Sequence, residues 1–186
     1  AQETGTVLRT TDLEITIIVN LPASIETPGS VAIPHQTLLD ITNESPEDTR
    51  ITLTANTNNK VEMVTDVGAY DIMGKPAEEF PAVPAVDNRK ETGLSTEALR
   101  DMIKKTSFAV SRDELKPALT GVLFRFNKDN LTAVATDGHR LVCYNRSDYK
   151  AVEYPGPNIL LIKFLSLLSG IIEGDASVQL SMSATH

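Results

Sequence analysis

Tryptophan is absent, cysteine occurs once, and aromatic residues make up only 5% of the 186 residues. The lone cysteine, Cys143, excludes an internal disulfide, and no Cys or His spacing matches a zinc site. A glycine-rich phosphate loop and a G-x-S-x-G elbow are also missing, which removes the nucleotide-binding and serine-hydrolase signatures. The longest apolar run, Ile159–Ile172, is interrupted by Lys163, Ser166, Ser169 and Gly170. It falls short of the ~18–20 residues a bilayer requires, and nothing reads as a signal peptide. Positive charge is scarce, with 17 Lys and Arg against 25 Asp and Glu for a net charge of −8. That balance argues against a chain wrapped tightly on nucleic acid, because neutralised phosphates supply most nonspecific affinity.

What is present describes a globular chain, expected to be cytoplasmic, with 41% hydrophobic and 23% charged residues. Acidic residues crowd Glu44–Asp48, Glu78–Glu79 and Glu173–Asp175. Basic residues gather in Arg89–Lys90, Arg100–Lys105, Arg112–Lys116 and Arg140–Lys150. An acidic exterior with a local basic face is compatible with this patterning. Strand signals dominate: Val7–Leu21, Ser30–Ile33, Arg50–Ala55, Val61–Thr65, Tyr70–Met73, Gly121–Phe126, Leu131–Ala135, Leu141–Asn145 and Val178–Met182. The clearest helix is Thr96–Ser107, with Ser95 placed to cap it and Glu97 in its first turn. Ala98, Leu99, Met102 and Ile103 form its apolar face, while Arg100 and Lys104 fall opposite, mixed with Glu97 and Asp101. A second helix is expected over about Leu160–Ile172, ending near Gly174, and a short one after Pro34. Thr57–Asn59 and Asn127–Asn130 read as hairpin loops. Cys143, in the alternating run Leu141–Tyr144, reads as a buried strand thiol.

The stretch LTAVATDGHRL, Leu131–Leu141, has a fainter second copy in VLRTTDLEITI, Val7–Ile17. The Thr-Asp pairs are Thr11-Asp12 and Thr136-Asp137, 125 positions apart, and the segments that follow keep nearly the same offset. A period above a hundred residues is too long for a solenoid unit and indicates two tandem copies of one domain. The expected division is 1–84, a linker over 85–93 carrying the charged Asn-Arg-Lys-Glu run and a glycine, and 94–186. Copy one lacks a front and copy two lacks a back, so the chain is expected to be a piece of a longer protein. The fold class is α+β with antiparallel sheets and few helices.

The turn Thr136-Asp137-Gly138-His139-Arg140 offers a carboxylate, an imidazole and a guanidinium within five residues. General acid or base chemistry needs a second group converging from elsewhere, so a hydrolase using Asp137 and His139 is one alternative. A fixed turn with Gly138 at an unusual φ is the other.

The segment TSFAVSRDELKPALTGVLFRFNKDNLTAVATDGHRL, Thr106–Leu141, resembles the start of the middle domain of the bacterial DNA polymerase III beta subunit, the replicative sliding clamp. TDLEITI at Thr11–Ile17 and AEEFPAVP at Ala77–Pro84 resemble the later part and closing strand of that family's first domain. The resemblance covers nearly the whole chain. It implies a DNA-clamp fold, antiparallel sheets outside and helices inside, with three similar domains per subunit and two subunits closing a homodimeric ring.

The function so implied is a non-catalytic processivity factor. It would encircle double-stranded DNA without reading sequence and dock the DNA polymerase III alpha subunit, the clamp loader and other clamp-motif proteins. A hydrophobic peptide pocket is implied at Leu119, Thr136, Gly138, His139, Arg140 and Leu141, completed by a third domain. DNA-facing positions are Arg100, Lys104, Lys105, Arg112, Lys116 and Lys163. Pro117 and Ala118 stand where some family members place aromatics, so stacking on DNA is not supported there. Tyr70 and Ile72 match the dimer edge. No catalytic residue, metal or cofactor is expected, nor a membrane partner. An interaction module of the same fold that forms no ring is the alternative within this class.

Overall fold

A computed structural model of the chain describes residues 5–83, 90–148, 158–172, 174 and 177–182. The chain divides into two units, 1–84 and 85–186. In the first unit, β1 (Thr6–Thr11) and β2 (Thr16–Leu21) form an antiparallel hairpin with Thr11 opposite Thr16. Helix α1 (His35–Glu44) follows Pro34, whose fixed φ and missing N–H suit a helix start. Strands β3 (Thr52–Ala55), β4 (Lys60–Thr65) and β5 (Gly68–Met73) then make an antiparallel meander in the order β3-β4-β5. The expected loop between β3 and β4 is built by Asn56, whose Oδ1 accepts from the N–H groups of Asn58 and Lys60. Asn59 takes the left-handed conformation there, at φ 59°.

Strict alternation along β4 sends Val61, Met63 and Thr65 inward. Val61, Met63 and Ile72 form a small core, against which Val31, Ile33 and the α1 residues Leu38 and Ile41 pack. Ser30–Ile33, expected as a strand, contributes a single bridge between Ala32 and Lys75. Gly74 permits that approach, because a Cβ there would meet the carbonyl oxygens of Ala32 and Asn59 at 2.8 Å.

The second unit carries the larger core. Strand β6 (Lys90–Ser95) leads into α2 (Thr96–Thr106), and β7 (Gly121–Phe126), β8 (Leu131–Thr136) and β9 (Leu141–Arg146) form a meander. After β10 (Asn158–Leu161) come α3 (Ile162–Ile171) and β11 (Ser177–Met182). The sheets are β10-β7-β8-β9 and β11-β6, all antiparallel. Ser95 caps α2 as expected, its Oγ accepting from the Ala98 N–H, and Ala98, Leu99, Met102 and Ile103 are all buried. They pack with Phe124, Phe126, Leu131, Ala133, Ala135 and Leu165. Phe124 and Phe126 lie 6.2 Å apart between ring centroids. Each such side chain contributes roughly 1.5–3 kcal/mol by burial.

Three further expectations differ from the structure. Lys90–Gly93, assigned to a linker, belong to β6, while 85–89 lie outside the described residues. Their pairing partner is β11, far along the chain, so nothing local signals a strand; Thr92 and Leu94 face inward from it. The second helix starts two residues later than expected, because Asn158–Leu161 pair with β7. Gly121 allows that pairing, since a Cβ there would come within 2.6 Å of the Leu160 carbonyl oxygen. Cys143 is exposed, not buried. The phase of β9 turns Val142 and Tyr144 toward the core, so Leu141, Cys143 and Asn145 point away.

Candidate functional site: a rigid turn and a cation-lined helix groove

The turn joining β8 to β9 is held by short-range hydrogen bonds. Thr136 Oγ1 donates to the Arg140 carbonyl at 2.7 Å and accepts from the Gly138 N–H at 3.1 Å. Asp137 Oδ1 accepts from the N–H groups of His139 and Arg140, both at 3.0 Å, and its Oδ2 receives Arg140 Nε at 3.0 Å. The backbone donors of His139 and Arg140, and then the Arg140 charge, hold the Asp137 carboxyl below the usual carboxylate range. Gly138 sits at φ 91°, the unusual conformation its sequence position implied.

The same turn occurs between β1 and β2. Thr11 Oγ1 donates to the Ile15 carbonyl and accepts from the Leu13 N–H, and Asp12 Oδ1 accepts from the N–H groups of Glu14 and Ile15. Leu13, at φ 76°, occupies the place of Gly138. The repeat seen in the sequence is therefore one hydrogen-bonded device used twice. In both copies the carboxylate closes the turn. For Asp137 this engages both oxygens, so its arrangement serves backbone geometry rather than proton transfer with His139.

Of the pocket positions, Thr136, Gly138, His139, Arg140 and Leu141 lie on or beside this turn, and Leu141 is 66% exposed. Leu119 is half-buried at the end of a short 3-10 turn, Pro117–Leu119, whose carbonyl accepts from Ser111 N–H at 2.8 Å. One residue was not singled out from the sequence. Phe108, 57% exposed just after α2, lies with its ring centroid 5.8 Å from the Arg140 guanidinium carbon. An aromatic residue outside the apolar face of the helix was the available signal.

The six candidate DNA-facing cations do not form one cluster. Arg100 and Lys104 share a groove of about 520 Å³ between α2 and α3, lined also by Ile103, Ser107, Phe108, Ile162, Ser166 and Ser169. Arg100 donates from a guanidinium nitrogen to the Ile172 carbonyl, which closes the C-terminal end of α3. Lys104 is exposed on the groove, and Lys163 is exposed near the start of α3. Arg112 and Lys116 lie on the exposed loop before Pro117, with Lys116 3.6 Å from Asp113. Lys105 is turned away to β9. Its Nζ donates to Asp101 at 2.8 Å and to the Tyr144 hydroxyl at 3.1 Å, and lies 4.4 Å from the Tyr144 ring centroid. The Lys105 and Tyr144 hydrogen bonds lower the Asp101 pKa, and the Asp101 bond raises that of Lys105.

On β5, Tyr70 is partly exposed but Ile72 is 3% exposed and part of the core. Any pairing along this edge would use the Ile72 main chain, with Ala69, Asp71 and Met73 on the outward face. Among the described residues no group of three His, Cys, Asp or Glu side chains could hold a metal ion, and no helix is long and apolar enough to cross a membrane.

The antiparallel sheets, the three helices among the described residues and the duplicated turn define the DNA-clamp fold class. Residues 1–84 match the DNA polymerase III beta subunit, N-terminal domain, and residues 93–186 match the DNA polymerase III beta subunit, central domain. The beta sliding clamp of Synechococcus elongatus is 37% identical over 130 residues, covering 70% of this chain and 34% of its own length. That of Chlamydia muridarum is 31% identical over 157 residues, covering 84% of this chain and 43% of its own. Among solved structures, the sliding clamp of Bartonella birtlesii aligns with a TM-score of 0.84 at 27% identity, covering 98% of this chain and 50% of its own. The Bacillus subtilis clamp aligns at 0.86 with 24% identity, over 98% and 50%. This chain belongs to the DNA polymerase III beta subunit family. It spans between a third and a half of the length of these curated relatives.

Proposed function

We propose that the whole protein is a sliding clamp, the processivity factor of the replicative DNA polymerase, acting in the cytoplasm without catalysing a reaction itself. The observation that carries this reading is the order of the family matches, N-terminal domain then central domain, along one chain. In this reading a homodimeric ring encircles duplex DNA and holds it through screened, sequence-independent phosphate contacts. The groove cation Lys104 suits that role better than Lys105, which already binds Asp101 and Tyr144. The β5 edge, with Tyr70 and Ile72, pairs across the dimer through its main chain.

The rigid turn with Leu141, together with Leu119 from the 3-10 turn before β7, forms one side of a pocket for short extended peptides from the polymerase alpha subunit, clamp loader and other clamp-binding proteins. Exposed apolar side chains beside fixed polar groups suit that form of recognition. In the full-length protein, a Leu119→Ala, His139→Ala, Leu141→Ala triple variant is expected to stay folded and to load on DNA where loading is not pocket-limited. Its affinity for a Gln-Leu-x-Leu-Phe peptide should fall more than about tenfold, as the loss of ~1.4 kcal/mol or more requires. Unchanged affinity in fluorescence anisotropy sinks the pocket assignment.

A further inference from the structure

Helix α3 has a weak C-terminal end of its own. Its last turn holds the exposed Gly170, the residue type that loses most backbone freedom on ordering, and no basic side chain stands there to meet the carbonyl end of the helix dipole. Ile172 then leaves the helix in an extended conformation, at φ −74° and ψ 111°, with its side chain in the core. The missing donors come from α2. The Arg100 guanidinium donates to the Ile172 carbonyl, and Thr96 Oγ1, on a residue only 3% exposed, donates to the Gly174 carbonyl at 2.6 Å.

Backbone geometry sets the spacing of these two contacts. Thr96 and Arg100 stand at i and i+4, on one face of α2 and about 6 Å apart along its axis. Carbonyls two residues apart on an extended chain face the same side at about 6.6 Å. One turn of α2 thus matches two residues of chain beyond α3. The charged member of the pair falls on the carbonyl nearer the helix end, where positive charge is most favourable.

We propose that Thr96 and Arg100 form a clasp that α2 closes on the end of α3, and that Arg100 is a positioning residue: it fixes the α3 wall of the groove, with Ser166 and Ser169, and carries no DNA phosphate. The DNA half of this rests on the sliding-clamp reading. Turning the guanidinium to a phosphate would break its bond to Ile172 and leave the end of α3 without its cation. Lys104 lines the same groove with no such commitment among the described residues, so the phosphate falls to Lys104 and the wall to Arg100.

The test uses the full-length protein with Arg100→Gln, Arg100→Lys and Thr96→Val. The first readout needs no DNA: hydrogen exchange at the Ile172 amide, which closes α3 by donating to the Leu168 carbonyl at 2.9 Å. Exchange there should quicken about tenfold or more in Arg100→Gln, the scale of a lost hydrogen bond to a charged group. It should quicken in Thr96→Val as well, and return toward wild type in Arg100→Lys, which keeps a charged donor. An unchanged Ile172 rate in Arg100→Gln or in Thr96→Val overturns the clasp, and a rise that spreads to the Phe124 amide overturns it as a local device. With a short duplex, Arg100→Gln should bind about twofold or more weakly at fixed salt, the low end of coupling between residues in contact. Its slope of log K against log salt should equal that of wild type. A slope flattened by about 0.9 makes Arg100 a phosphate contact and overturns the positioning role. Binding that does not change at all overturns it too. Should wild type show no salt-dependent binding, the sliding-clamp reading fails, and a quickened Ile172 amide still upholds the clasp.

Discussion

Substituting Gly138 by alanine separates backbone strain from contact loss, because a Cβ at this position meets nothing within 4 Å. The residue sits at φ 91°, so alanine incurs left-handed strain of roughly 1–2 kcal/mol. The substitution also stiffens the unfolded chain, which offsets about 0.4–1 kcal/mol of that. The net expectation is a destabilisation of about 1 kcal/mol, or roughly 4–8 °C in Tm for a domain of this size. The reciprocal change tests the same physics in the first unit. Leu13 holds φ 76° in a turn with the same hydrogen bonds, and the residue is 80% exposed, so Leu13→Gly relieves strain while losing little burial. It should stabilise the first unit by about 0.5 kcal/mol after the entropy of the added glycine is subtracted. Urea and thermal unfolding, with hydrogen exchange to assign each transition to its unit, measure both. A neutral Gly138→Ala together with a destabilising Leu13→Gly would refute the claim that the two turns are one device under the same strain.

The carboxyls of Asp137 and Asp101 titrate below their ordinary 3.8 in the folded protein, so the stability they supply is complete above pH 3.8 and fades as pH falls through their lowered values. Thermal midpoints should hold steady down to that region and then drop, and Asp137→Asn should blunt the acid-side drop; a decline beginning near neutrality would contradict the assignment. Lys105, shifted upward from 10.5, contributes below that value and loses its contribution as pH rises past it, so Tyr144→Phe should weaken the alkaline edge. Truncating Leu165, wholly buried against α2 and the sheet, should cost about 2–5 kcal/mol in urea unfolding, and a loss below ~1 kcal/mol would mean that α3 is not docked on the core. Under the proposed clamp function, Lys104→Gln in the full-length protein should flatten the dependence of log K on log salt for duplex DNA by about 0.9. Lys105→Gln should leave that slope nearly unchanged, and equal effects from both would argue against the groove as the DNA-facing surface.

What the sequence determined by itself is what a few neighbouring residues settle among themselves. The two Thr-Asp turns close through hydrogen bonds spanning no more than four positions, the Ser95 cap spans three, and the Asn56 loop spans four, so each was legible as a local pattern. The apolar face of α2 and the alternation along β4, β7 and β8 were equally plain, because each element carries its own period. Tertiary structure decided the rest. Strand β6 exists only through β11, as in the Gln179 to Glu91 bond 88 positions apart, and β10 only through β7. Arg100 is committed to a carbonyl 72 positions away, and Lys105 to a tyrosine 39 positions away, so both read as free helix cations in a linear view. Phe108 meets Arg140 only once α2 is packed against the meander. The face of Cys143 was fixed the same way, by which side of β9 the core happens to occupy. Short-range hydrogen bonding and periodicity are written in adjacent letters; the partners of an edge strand or a long charged side chain are chosen by the fold that brings distant segments together.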